Sequence, residues 1–160
     1  MTGLKPVPAT LVYCVRDGRV LLAKRKKPPY VGQWVAPGGK IEAGETPVTC
    51  AWRELKEETG LDARDPVLRG IVLERSPRPD FQWLLFCYLV RHVTGDVVSD
   101  EREGTLAWWP VTDLDTIDMP PGDRVFLPFV LAHSSRVFEA TLDYDEALAL
   151  KHFRLGAEDR

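Results

Sequence analysis

A layered α/β fold is what this chain predicts, and three observations predict it. Stretches rich in β-branched, aromatic and other apolar residues recur at 10–25, 66–75, 81–94 and 105–111. Two helical patterns, one opening near Thr46 and one near Asp123, interrupt that series. No internal repeat, low-complexity tract or linker divides the sequence, so a single domain over residues 1–160 is expected. Strands mixed with helices bury their apolar faces best as a sandwich.

Each element has its own local reason. TLVYCVRDGRVLLAKR is two strands around Asp17-Gly18, a dipeptide that favours tight hairpin turns. KPPYVGQW is a loop punctuated by proline and glycine, and VAPGGKIEAGE places glycine turns around a short extended piece. The first helix has clear ends: Thr46 can cap it, Pro47 suits its first position, and Gly60 suits the residue after it. FQWLLFCYLV is apolar enough for a strand covered on both faces. TGDVVSDEREG is a polar, acidic loop, and TLAWWPV a further short strand. After the PPGD turn a second helix is expected over Asp123 to Ala132, and RVFEATLDYD adds a final strand.

Composition narrows the possible functions. With 44% hydrophobic and 28% charged residues the chain has an ordinary globular balance. A net charge of -3 lacks the basic surface needed to grip polymeric nucleic acid. Cys14, Cys50 and Cys87 stand at no metal-ligand spacing and are expected as buried free thiols of a reducing compartment. The start, MTGLKPVPAT, has no signal-peptide pattern, and the longest apolar run, Trp83 to Val90, is too short to span a bilayer. A cytoplasmic protein with no membrane association is expected, as monomer or homodimer.

The first helix carries the chemistry. At about 100° per residue, Val48, Ala51, Trp52, Leu55 and Thr59 share an apolar face expected to dock on the sheet. Glu54, Glu57 and Glu58 fall on a neighbouring arc of about 100°. Like charges at these spacings destabilise a helix by a few tenths of a kcal/mol per pair. Either the arc is a solvated acidic face, or it is a site for a hard cation. Clustered carboxylates suit Mg²⁺ or Mn²⁺, which bind a few of them together with substrate phosphates.

The surroundings decide. Gly39, Glu45, Arg53, Glu54, Leu55, Glu57, Glu58, Gly60 and Leu61 fit G-x5-E-x7-R-E-U-x-E-E-x-G-U, U being a bulky aliphatic, without departure. Average residue frequencies make a chance match about one in ten million, which rules against the solvated face. In this pattern the chain resembles a Nudix hydrolase. The resemblance implies an α/β/α sandwich with a mixed sheet and hydrolysis of a nucleoside diphosphate linked to another group. It implies Glu54, Glu57 and Glu58 as ligands of Mg²⁺ or Mn²⁺, any of them also able to take a proton from the attacking water. Glycines 38 and 39 let the backbone approach the metal–phosphate centre, Gly39 counting among the metal-site residues. Arg53 pairs with Glu45 and holds the loop against the helix.

Outside the motif the resemblance points to single residues. A later acid often joins such a metal site, and DEREGTLAWW offers Glu101 and Glu103, with Glu103 favoured by its distance from Trp108. Arg25 stands where a basic residue often touches substrate phosphate. Phe81 and Trp83, with Trp34, are candidates to stack on a base. VLLAKRKK, QWVAPGGKIEAGE, WWPVTDL and DMPPGDRVFLPFVL are similar to the antimutator branch, which removes oxidised purine triphosphates such as 8-oxo-dGTP. There an aspartate like Asp123 reads the purine edge. Val35 and Pro120 depart from that branch, which has asparagine in some members and a stacking tryptophan at the corresponding places. Pro77 matches instead a proline of members that cleave ADP-ribose, so a nucleotide-sugar or dinucleoside polyphosphate stands as the alternative small-molecule substrate. A Nudix module without catalysis is the remaining reading, disfavoured because no motif glutamate is replaced.

Overall fold

The computed structural model describes residues 3–98 and 105–156. Strands β1 (Val7–Arg16) and β2 (Arg19–Lys24) form the expected hairpin. Asp17 and Gly18 both have positive φ, 50° and 70°, which a two-residue turn matched to strand twist requires. Then come β3 (Trp34–Val35), β4 (Gly38–Lys40) and helix α1 (Pro47–Thr59). They are followed by β5 (Asp62–Arg64), β6 (Val67–Arg75), β7 (Trp83–Val90) and β8 (His92–Thr94). The described chain ends with β9 (Leu106–Pro110), α2 (Pro121–Leu131), β10 (Phe138–Tyr144) and β11 (Leu150–Leu155).

The main sheet runs β11-β10-β6-β7-β1-β2-β3, with β4 also on β1 and β9 also on β2. It is mixed: β1 lies parallel to β7, and β6 parallel to β10, while the other pairs are antiparallel. Strands β5 and β8 make a separate two-stranded ribbon. Alternation along β1 divides the core. Val12 and Cys14 join Ala51 and Leu55 of α1 on one face. Tyr13 joins Phe126, Leu127 and Val130 of α2 on the other. A helix on each face of a mixed sheet is the α/β/α arrangement that the sequence predicts. No helix among the described residues is long and apolar enough to cross a membrane. All three cysteines are free and buried.

The structure corrects the expected elements in three places. Helix α2 begins at Pro121, because a proline has no N–H to lose in the first turn. Strand β11 pairs with β10 and was not expected from the sequence. Its segment, LKHFRL, mixes charge with apolar residues because it lies at the sheet edge. In α1 the buried residues are Cys50, Ala51, Leu55 and Thr59, whereas Trp52 is 44% exposed. The docked face is therefore turned away from Trp52 and toward the glutamate arc: Glu54 and Glu58 lie between Cys50 and Ala51 on the helical wheel, and Glu57 just beyond Cys50.

Candidate active site

Both ends of α1 are fixed by local chemistry, which sets where its glutamates stand. Thr46 accepts from the Thr49 N–H at 3.3 Å, and Thr49 Oγ1 accepts from the Thr46 N–H at 2.9 Å. Gly60 takes the left-handed cap conformation and donates to the Lys56 carbonyl. Between these caps, Cys50 packs its thiol against Thr10 Oγ1 at 3.4 Å and the Lys40 carbonyl at 3.5 Å. The helix is thereby seated on β1 and β4.

That seat leaves no room for a side chain at either glycine of β4. A Cβ at Gly39 would overlap the Glu54 carboxylate, and one at Gly38 would collide with the Thr10 carbonyl. Gly38 donates its N–H to Glu58 Oε2 at 3.1 Å. Arg53 grips Glu45 with both Nε and Nη2, the latter at 2.9 Å to Oε2. Its Nη1 donates to Glu54 Oε1 at 2.9 Å and to Glu57 Oε2 at 3.3 Å, and its Nη2 to the Lys40 carbonyl at 3.2 Å. The guanidinium holds Glu45 well down, to about 2. Burial raises Glu54 against the opposing pull of Arg53, and the Glu57 charge raises it further.

This arrangement fits a hard divalent cation. The donors are carboxylate oxygens, they stand at i, i+3 and i+4, and the glycine cradle brings backbone beside them. Among the described residues, no three acidic, histidine or cysteine side chains already converge on one point. Arg53 engages Glu54 and Glu57, and the Gly38 N–H engages Glu58.

A second polar centre lies on the opposite face, under α2. Asp123, in the first turn of α2, is raised to about 8 by burial, then by the charge of Glu74, with Arg25 opposing. Glu74 on β6 is 6% exposed, and burial raises it to about 7 against a hydrogen bond from Tyr144 Oη at 2.7 Å. The Tyr13 hydroxyl, also buried, has no hydrogen-bond partner among the described residues.

The other sequence candidates divide. Arg25 turns its Nε to the Pro29 carbonyl at 2.8 Å and lies in the electrostatic reach of Asp123 and Tyr30. Trp83 is half-buried, with Lys40 Nζ 5.9 Å from its ring centroid. Phe81 is 5% exposed and sits in the core, in T-shaped contact with Tyr30 at 6.2 Å and with Tyr144 at 5.2 Å. Trp34 likewise packs edge-on to Trp109 at 5.2 Å. Glu101 and Glu103 lie outside the described residues. Glu74, Tyr13 and Tyr144 were missed by sequence reasoning. The available signal was Glu74 in register with Val72 in GIVLER, an acid at an inward position of a strand.

Comparison with known proteins agrees with this geometry. Residues 5–130 match the NUDIX domain. An uncharacterised Nudix hydrolase of Bacillus subtilis, YvcI, is 34% identical over 145 residues, covering 89% of each chain. The human 8-oxo-dGDP phosphatase NUDT18 is 34% identical over 110 residues, 66% of this chain but 32% of that longer protein. A crystal structure of a mutator MutT protein from Bacillus halodurans superposes with a TM-score of 0.84 at 32% identity, covering 96% of this chain and 99% of that one. With the motif intact on α1, the glycine strand against it and these relatives around it, the chain belongs to the Nudix hydrolase family.

Proposed function

We propose that this Nudix hydrolase is a Mg²⁺- or Mn²⁺-dependent pyrophosphohydrolase of nucleoside triphosphates, with oxidised purine triphosphates such as 8-oxo-dGTP as its substrate class. The observation that carries this reading is the division of labour across β4. Gly39 stands over Glu54 on the α1 face, while the next residue, Lys40, reaches the Trp83 ring on the α2 face that also holds Asp123. A nucleotide can therefore place its phosphates at the glutamates and its base toward Asp123. The 8-oxopurine assignment draws support from the name of the human relative.

In this reading Glu54, Glu57 and Glu58 hold the divalent ion, with the Gly39 backbone beside it. When bound, the ion supplies Lewis-acid stabilisation of phosphoryl charge and a more acidic water. The chain's own residues do the rest. One of the three carboxylates takes a proton from the attacking water. Arg53 keeps Glu54 and Glu57 oriented, and Glu45 keeps Arg53. Glu103 is proposed as a further acid of the site. Arg53→Lys keeps the charge but loses the two-pronged grip on Glu45. It is expected to lower metal affinity or activity about 10- to 100-fold, read from rate against Mg²⁺ concentration.

The products test the register of the phosphates. Water adds its oxygen to the β-phosphorus, the bond from that phosphorus to the α,β-bridging oxygen breaks, and nucleoside monophosphate departs with that oxygen. Monophosphate and pyrophosphate are expected in equal amounts, with ¹⁸O from labelled water in the pyrophosphate. Label in the monophosphate would place attack at the α-phosphorus. Diphosphate plus orthophosphate as primary products would overturn the proposed register. A panel of 8-oxo-dGTP, the common nucleotides, ADP-ribose and dinucleoside polyphosphates, run with Mg²⁺, tests the substrate class.

A further inference from the structure

We infer that Glu74 is a positioning residue for the substrate's base: with Tyr144 it braces the first turn of α2 and fixes how Asp123 faces the ligand. This rests on the proposed role of Asp123. The geometry makes the connection. Glu74 is paired across the sheet with Trp83 on β7 and Leu142 on β10, so its side chain shares the α2 face with both. It accepts the Tyr144 hydroxyl at 2.7 Å in the buried interior. The two polar atoms press on Gly122, the neighbour of Asp123: a Cβ there would lie 2.8 Å from Glu74 Oε1 and would overlap the Tyr144 hydroxyl. The backbone that carries Asp123 thus rests on the Glu74–Tyr144 pair.

A brace made only for stability would be apolar, because burying a carboxyl has a large cost. Here the carboxyl also adds to the electrostatics of Asp123, whose coupled groups among the described residues can be named. They are Tyr13 from β1, Arg25 and Tyr30 from the loop after β2, Cys87 from β7, and Glu74 with Tyr144 from β6 and β10. Among these the only acid is Glu74 and the only cation Arg25. Burial first makes Asp123 keep its proton to higher pH, and Glu74 adds to it, because two carboxyls so placed resist ionising together. The Tyr13 hydroxyl in the same centre, without a hydrogen-bond partner among the described residues, is a further group with capacity for a ligand atom. The centre fits a base whose edge presents N–H donors to an ionised Asp123. Base capture should then strengthen as pH rises through the Asp123 midpoint.

The experiment compares KM and kcat against pH for the best nucleotide substrate in wild type, Glu74→Gln, Tyr144→Phe and Asp123→Asn. Glu74→Gln keeps an acceptor for Tyr144 but removes the charge, so Asp123 ionises more readily. The pH limb of KM should move down by about one unit while the loss, if any, falls on KM and not on kcat. Tyr144→Phe takes away the hydrogen bond that favours the Glu74 charge and should move the limb the same way, which keeps the test valid if one variant fails to fold. A limb that stays in place in both variants, while Asp123→Asn abolishes it, would overturn the inference and leave Asp123 as base reader. An Asp123→Asn enzyme with wild-type KM at every pH would overturn the base-reading role itself, and the inference with it.

Discussion

Glu58→Gln is expected to lower kcat about a hundred- to ten-thousandfold while the protein stays folded. The change is nearly isosteric, and the amide oxygen can still accept the Gly38 N–H that Glu58 Oε2 holds at 3.1 Å. The glycine strand therefore keeps its anchor on α1. What disappears is a negative charge at the point where β4 offers backbone in place of side chains. A carboxamide binds a hard cation more weakly and cannot take a proton from water at neutral pH. Relief of crowding among Glu54, Glu57 and Glu58 should hold the melting temperature of the metal-free protein steady or raise it slightly. Steady-state kinetics with thermal denaturation read both quantities. If Glu54→Gln, Glu57→Gln and Glu58→Gln each kept the wild-type rate, the arc would be a solvated acidic face.

Much of this site was legible because its determinants are local. Thr46, Pro47 and Gly60 mark the ends of α1 through backbone chemistry that needs no tertiary partner. The spacing from Gly39 to Leu61 specifies one helix and one strand held by Arg53, and the structure shows the same grip on Glu45. What escaped depends on contacts distant in sequence. Trp52 falls at the margin of the apolar arc, and only the seating of Cys50 against β4 shows that the helix is turned to leave it outside. Phe81 reads as a candidate for stacking, and its burial in the core shows only once Tyr30 and Tyr144, 51 and 63 positions away, are seen packed against it. Glu74 becomes conspicuous only once β6 is known to turn it toward α2 and Tyr144, 70 residues on, is seen to donate to it. A single sequence shows such an acid but not the face it occupies.

Chelation should abolish turnover almost completely, and Mg²⁺ or Mn²⁺ should restore it. The donor set gives the reason. Glu54, Glu57 and Glu58 offer carboxylate oxygen, and the residues nearest them on β4 are glycines, with Lys40 turned to the Trp83 side. The nearby sulfur, Cys50, one turn before Glu54, is buried against the Thr10 hydroxyl and the Lys40 and Gly39 carbonyls, so a thiophilic ion finds no exposed ligand there. Hard, oxygen-seeking ions fit such a set, and softer ones lose the advantage they hold at histidine or cysteine sites. Glu54 adds a second reason. Burial and the Glu57 charge both work against its ionisation, so a cation bound beside it relieves a cost that Arg53 offsets only in part. Stability should therefore rise with Mg²⁺: by linkage, a hundredfold excess over the dissociation constant adds about 2.7 kcal/mol. For a chain of this length that is a rise in melting temperature of roughly 5–10 °C. The measurement is a titration of rate and melting temperature with Mg²⁺, Mn²⁺ and Zn²⁺ after EDTA treatment. Full turnover in excess EDTA, or a requirement met by zinc alone, would refute the carboxylate site.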